Sequence, residues 1–440
     1  MPNQELLLAI KDLVESEQFD VAMPLIYGIL EDDPNDVMAL NFLGYIYLVS
    51  GKDALAYYTF KHASNIAPTN KAIVANLGKA AHELGRFEEA IQQFLEAAKL
   101  DPDYAMAYAN ASASLVQMSQ WDDAEKAALL ALECDPKELN ATMNLAHVYF
   151  AKGDWQKAWK HFGLSLGSKF RKEYGYADET RWNGEKNKSL VIYGEQGLGD
   201  EVMYASILPE VIEDSKHVIV DCDAKLEGLF KRSFPKATVY GTRRDDHPEW
   251  LKGAKIDHRC ALGGLGEFYR TTDESFSGKP YLVADPERRI MWRALFDGYK
   301  KPVIGITSHG GVKKNNEAGR TLSYEDLREL LNDTRYEFVS LDYKDGVTHK
   351  RLRQFPFATK SDDMDDTAAL ISELDLVVGV NTTAHHLAGA LGVKTVTLVP
   401  KYHWARYARD HVWYKSQTLV KQGLKTWKEV VKGLKIADYL

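Results

Sequence analysis

The chain has 440 residues, a formal net charge of −8, 45% hydrophobic and 27% charged residues. This is a globular composition, long enough for two or three domains, and its acidic balance argues against nucleic acid as a partner, since phosphate backbones are held by surplus Lys and Arg. Cys134, Cys222 and Cys260 lie far apart without a CxxC pair, which argues against a disulfide framework or a Cys-rich zinc site; no signal peptide, no transmembrane segment and a cytoplasmic setting are expected.

The first third of the chain repeats with a period of 34 residues. Pro34, Pro68, Pro102 and Pro136 mark one register, and Ala22, Ala56, Ala90, Ala124 and Ala158 a second. Gly51, Gly85 and Gly153 share a third with Ser119; Phe60, Phe94 and Phe162 a fourth with Ala128; Phe19, Phe87, Trp121 and Trp155 a fifth, broken by Asp53. Each unit holds two apolar-periodic stretches, such as AIVANLGKAAHEL and FEEAIQQFLEAAKL. The pattern predicts helix–turn–helix units: alanines let paired helices approach, glycine makes the tight turn, and proline closes one unit and starts the next. It resembles the tetratricopeptide repeat. Five units fit residues 1–170, the first degenerate as a terminal cap, and they must stack because one unit cannot bury its own apolar face. Such an array presents a concave surface for a peptide or protein, packs against the rest of the chain, or associates with itself.

Residues 171–187 are polar and irregular and read as a linker. From there short β-branched runs alternate with helical ones: SLVIYG (189–194), HVIVDCD (217–223) and ATVYG (237–241), then VIGITS (303–308), YEFVSLD (336–342), DLVVGV (375–380) and KTVTLVP (394–400). Alternation of this kind predicts parallel sheets covered on both faces. Two series imply two Rossmann-like lobes, 188–299 and 300–440, with a cleft between them and a C-terminal helix around TWKEVVKGLK; residues 242–285 give no clean period.

Two loops carry the candidate chemistry. In GEQGLGDEV (194–202), Gly194, Gly197 and Gly199 form a strand-to-helix turn, and Asp200 either caps the helix or serves as a general base; Glu195 braces the loop. In DLVVGVNTTAHHLAGALG (375–392), Asn381, Thr382 and Thr383 sit where strand turns into helix, so their N–H groups either are simply capped or hold a phosphate, with His386 in the first turns.

Together with IGITSHGGVKKNNEAGRTLS (304–323) and VPKYHWARYARDHVWYKSQTLVKQ (399–422), these motifs resemble the heptosyltransferase-like glycosyltransferase family nine, in its bacterial form with tetratricopeptide repeats in front. The resemblance implies a GT-B fold and an inverting, metal-independent transferase that moves a sugar from a nucleotide-sugar donor to a protein, peptide or glycan, with no other cofactor. It implies Asp200 as catalytic base and Thr382, Thr383, His386, Lys314 and Arg320 as donor-diphosphate residues, Lys313 lying behind Lys314. Asn381 and His385 depart from the family pattern, and SHGG replaces its aromatic near 308. Asn381 and Trp404 contact sugar or pack; Trp413 packs, while Arg406, Arg409 and Asp410 lie near a shifted arginine register. The second reading is a noncatalytic tetratricopeptide interaction or scaffold protein with a degenerate GT-B domain.

Overall fold

A computed structural model describes residues 2–176, 180–243, 248–310, 318–344, 346–400 and 413–440. It divides into two compact units, residues 1–152 and 153–440.

The first unit is a stack of helix pairs: α1 (Pro2–Glu15) with α2 (Phe19–Asp32), α3 (Val37–Val49) with α4 (Asp53–Ile66), α5 (Lys71–Glu83) with α6 (Phe87–Leu100), α7 (Ala105–Gln117) with α8 (Trp121–Cys134), and then α9 (Leu139–Lys152). First helices of successive repeats touch one another, α1 with α3, α3 with α5, α5 with α7 and α7 with α9, so they form one layer. The repeat registers have separate physical causes. Glu17, Gly51, Gly85 and Ser119, 34 residues apart, all have left-handed backbone, with φ of 58°, 71°, 73° and 58°. Each ends a first helix in a Schellman motif, in which the following N–H reaches back five residues to Leu13, Tyr47, Ala81 and Leu115 carbonyls at 2.8–2.9 Å. Glycine accepts this conformation without a Cβ clash, whereas Glu17 and Ser119 carry it under strain.

The prolines differ from expectation. They do not start the next helix; each is the second residue of a β-turn, closed by bonds from Asp36, Asn70, Tyr104 and Glu138 N–H to the carbonyl three residues back at 3.0–3.1 Å. Proline presets φ there and keeps the preceding residue extended, which stops the helix. Ala22, Ala56, Ala90 and Ala124 are fully buried. The phenylalanine register is explained by its opposite number. An added Cβ at Gly44 would meet the Phe60 ring at 2.7 Å, and one at Gly78 the Phe94 ring at 2.8 Å. Where the ring shrinks to Ala128, the glycine position becomes Ser112, whose hydroxyl donates to Ala124 O at 2.8 Å.

The second unit opens with α10 (Trp155–Leu164), anchored by Trp159 Nε1 donating to Arg270 O at 2.7 Å and Trp155 Nε1 to Asp273 at 2.7 Å. It contains two parallel sheets. The first comprises β1 (Thr180–Arg181), β2 (Ser189–Tyr193), β3 (His217–Asp221), β4 (Thr238–Tyr240) and β5 (His258–Ala261), in spatial order β1-β5-β2-β3-β4. The second comprises β6 (Val303–Thr307), β7 (Glu337–Ser340), β8 (Leu352–Arg353), β9 (Leu376–Val380), β10 (Thr395–Val399) and β11 (Gln417–Lys421), in order β11-β10-β9-β6-β7-β8. Both strand orders reverse once, at β2/β5 and at β6/β9. Crevices beyond the carboxyl ends of parallel strands open at such switch points.

Candidate functional site

Both candidate loops lie at these switch points. The first follows β2 and leads into the Leu198–Tyr204 helix, capped by Gly197. None of Gly194, Gly197 and Gly199 has positive φ; Gly194 and Gly199 serve close approach. A Cβ on Gly194 would fall 2.3 Å from the Glu201 carboxyl carbon, and one on Gly199 would lie 3.1 Å from the His386 ring and 3.4 Å from Thr383 Oγ1. Gly199 therefore lets the first loop's helix rest on the second loop.

The acids flanking Asp200 are internal. Glu195 is buried and takes both Arg171 Nη2, at 2.7 Å, and Nε, at 3.2 Å. Arg171 itself is buried and also donates to Phe162 O. Glu201 is buried against Arg243, Nη1 to Oε1 2.7 Å, and its Oε2 accepts Asp223 N–H at 3.0 Å. Arg243 also holds Asp223 at 2.9 Å and donates to Gln196 O at 2.6 Å. One guanidinium thus faces two buried carboxyls. Burial pushes the Glu201 carboxyl up to about 8, opposed by the attraction of Arg243. Asp200 is half-buried in the helix's first turn, and Gly197 lies beside its carboxylate. Glu195 thus braces its loop, as the sequence led us to expect. The Glu201–Arg243–Asp223 network escaped sequence reading, because its members are scattered over 201–243 with no motif spacing.

The second loop follows β9. Gly379 is forced by closeness, since a Cβ there would lie 2.0 Å from Thr307 O. Asn381 is buried, its backbone oxygen 3.4 Å from Arg320 Nη1, and its side-chain Oδ1 has no partner among the described residues. Thr382 is the cap of the Thr383–Leu391 helix but makes no side-chain cap bond, and its hydroxyl is likewise buried and has no partner among the described residues. His385, fully buried, lies 3.3 Å from Thr307 Oγ1, and burial holds its imidazole down to about 3, so it is neutral. His386 Nδ1 is 3.1 Å from the Tyr414 hydroxyl. Trp413 packs edge-on against Tyr204 and Phe276, the packing role expected for it. Ser308 and His309, from SHGG, are held by Asp342, which accepts their backbone N–H groups at 2.8 and 3.1 Å. An open cavity of about 740 Å³ beside the end of β6 is lined by His309, Thr321, Tyr324, Val347 and His349.

The structure therefore brings Gly199 to Thr383 and His386, and Arg320 to Asn381. Lys313, Lys314, Trp404, Arg406, Arg409 and Asp410 lie outside the described residues. Among the described residues no group of three or more His, Cys, Asp or Glu side chains is placed to hold a metal, and no helix is long and apolar enough to cross a membrane.

Comparison with known proteins matches a TPR repeat family at residues 78–119 and a tetratricopeptide repeat family at 111–162. A curated relative, Protein FlbA of Caulobacter vibrioides, is 30% identical over 263 residues, which cover 54% of this chain; the chain spans 44% of that relative's length. Similar solved structures include MamA (25% identity, TM-score 0.33, 36% of this chain and 91% of that one). Others are YrrB, described as a TPR protein with an unusual peptide-binding site (20%, 0.32, 36% and 82%), and pilF of Pseudomonas aeruginosa (17%, 0.36, 53% and 92%). These findings correct the expected glycosyltransferase of family nine. Both family matches fall within the repeats, and neither they nor the curated relative carry a transferase description. The enzyme assignment and the GT-B and heptosyltransferase-like labels go with it. Two of the motifs behind that expectation, GEQGLGDEV and DLVVGVNTTAHHLAGALG, are strand–loop–helix turns at sheet switch points, which parallel α/β folds build irrespective of chemistry. The N-terminal part of the chain is a tetratricopeptide-repeat solenoid, and it is followed by an α/β part with two parallel sheets.

Proposed function

We propose that this is a noncatalytic tetratricopeptide interaction protein, whose solenoid holds an extended segment of a partner protein along its layer of first helices. The observation that carries this is a row of amides on that layer. Asn76 Nδ2 on α5 donates to Asn41 Oδ1 on α3 at 2.9 Å. That bond leaves the Asn41 amide NH2 to donate and the Asn76 carbonyl oxygen to accept, a complement to a peptide main chain. Asn110 continues the row on α7, half-buried, and Asn144 on α9 donates to Ala109 O at 2.9 Å, tying those helices together. Solenoids of stacked helix pairs use such faces for extended ligands. The test is an array of 15-residue peptides probed with the full chain and with an Asn41→Ala/Asn76→Ala variant. A subset of peptides bound by the native chain and weakened at least tenfold in the variant supports the reading; identical profiles refute it.

For the α/β part we read 188–299 and 300–440 as two Rossmann-like lobes that bind rather than transfer, in a cytoplasmic protein. Thr382, Thr383, His386 and Arg320, with Asn381, suit the diphosphate of a nucleotide or nucleotide-sugar. The support is the pair of buried polar atoms at Asn381 and Thr382, without a partner among the described residues, beside a helix N-terminus. Calorimetric titration with nucleoside diphosphates tests it, and absence of heat with any of them would end it.

A further inference from the structure

We propose that α3 carries an apolar anchor site, which selects partner segments having bulky aliphatic or aromatic side chains beside a neutral, extended main chain. The inference rests on the solenoid reading above and adds what that surface selects.

Helix α3, VMALNFLGYIYLV, contains no charged residue and only one side-chain amide, Asn41. A helix apolar on all sides is ordinarily buried all round. This one is not. Ala39, Leu40, Phe42, Leu43 and Ile46 are buried, while Met38, Tyr45 and Val49 are 48%, 40% and 49% exposed. Those three fall within about 40° on a helix of 100° per residue, and Asn41 lies about 40° beyond one edge of that arc. The open stripe therefore borders the amide row. One repeat earlier, on neighbouring α1, the counterparts of Tyr45 and Val49 are Lys11 and Glu15, so the stripe does not continue there.

The patch is bounded by polar groups. On α1 the Lys11–Glu15 ion pair (3.6 Å) flanks it, and on α5 the matching arc carries exposed Lys79 and Glu83. An apolar patch with a polar rim marks a contact site. Its occupant follows from charge and hydrogen bonding. The rim charges are one Lys and one Glu on each side, so neither a polyacidic nor a polybasic segment gains from it. The Asn41–Asn76 pair next to the stripe offers a donor group and an acceptor to main chain rather than to a charged group. An extended peptide with apolar side chains satisfies both, its side chains on Met38, Tyr45 and Val49 and its main chain on the amides.

The experiment measures anisotropy of labelled 12-residue peptides with the full chain. One series places Leu or Phe pairs in a Ser/Thr/Gly background, and the other is the background alone. The variants are Tyr45→Lys and Asn76→Ala, both at solvent-accessible positions, with sedimentation run on every protein. The proposal expects Leu or Phe pairs to tighten binding at least tenfold over background, Tyr45→Lys to abolish that gain, and Asn76→Ala to weaken both series. If Tyr45→Lys leaves the gain intact while Asn76→Ala weakens both series, the anchor is refuted and the wider solenoid reading stands. If neither variant alters binding, both fail. If the native chain is a dimer that Tyr45→Lys dissociates, a second copy of the chain covers the stripe and the proposal is overturned.

Discussion

Replacing Glu201 with Gln tests the buried network beneath the first loop. Glu201 shares Arg243 with Asp223, and burial raises its carboxyl from 4.5 to about 8. A carboxyl raised on folding binds more protons in the native than in the unfolded state. Its contribution to stability is therefore intact below the unfolded value of 4.5 and is lost as pH rises toward 8. At about 1.4 kcal/mol per pH unit across that window, the loss is on the order of 5 kcal/mol. Glutamine keeps the shape and the acceptor for Asp223 N–H but does not ionise. Native and E201Q proteins are thus expected to be similarly stable at pH 5, with E201Q the more stable by several kcal/mol at pH 8.5. Urea unfolding followed by tryptophan fluorescence suits the test, because eight of the nine tryptophans lie beyond residue 152. Comparing the two proteins at each pH cancels the other titrating groups. If E201Q is the less stable at pH 8.5, the carboxylate is ionised at net gain and the argument is wrong.

Ser119→Gly removes a left-handed non-glycine backbone at a helix end, and a gain of about 0.5–1 kcal/mol is expected in thermal unfolding followed by circular dichroism. Phe94→Ala empties the space against Gly78 and is expected to lose about 3–5 kcal/mol in urea. Adding Gly78→Ser, the partner residue found at 112 opposite Ala128, should recover part of that loss, and no recovery would show the pairing to be incidental. Thr382→Val removes a buried hydroxyl that has no partner among the described residues, so ligand-free stability should hold or rise by about 1 kcal/mol. The same change should weaken nucleoside diphosphate binding at least fivefold by calorimetry, and unchanged affinity would remove Thr382 from the site.

The solenoid was legible because its constraints recur: a left-handed helix end, a proline turn and an alanine contact each return every 34 residues and so reinforce one another. The strands with β-branched runs, β2, β3, β6, β9 and β10, were legible for the same local reason. The strand β5, HRCA, was not, since a four-residue strand with two polar members has neither an apolar run nor a clean alternation. The same holds for the two-residue strands β1 and β8. At the candidate site the loops could be placed from sequence, but Glu201, Arg243 and Asp223 could not be joined, because burial and pairing over that separation leave no spacing signal. The activity was read from motifs whose shape belongs to the architecture, so the architecture held where the chemistry did not.

The central claim, that the layer of first helices receives the partner, is tested most directly by site-specific photo-crosslinking. A benzophenone side chain is placed in the full chain at Tyr45, at Asn76, or at Tyr58, which is 65% exposed on the second helix α4. Each protein is irradiated with an array-selected peptide. Crosslinks from positions 45 and 76 but not from 58 are the expected result. Crosslinking from 58 alone would place the partner on the other face and contradict the account.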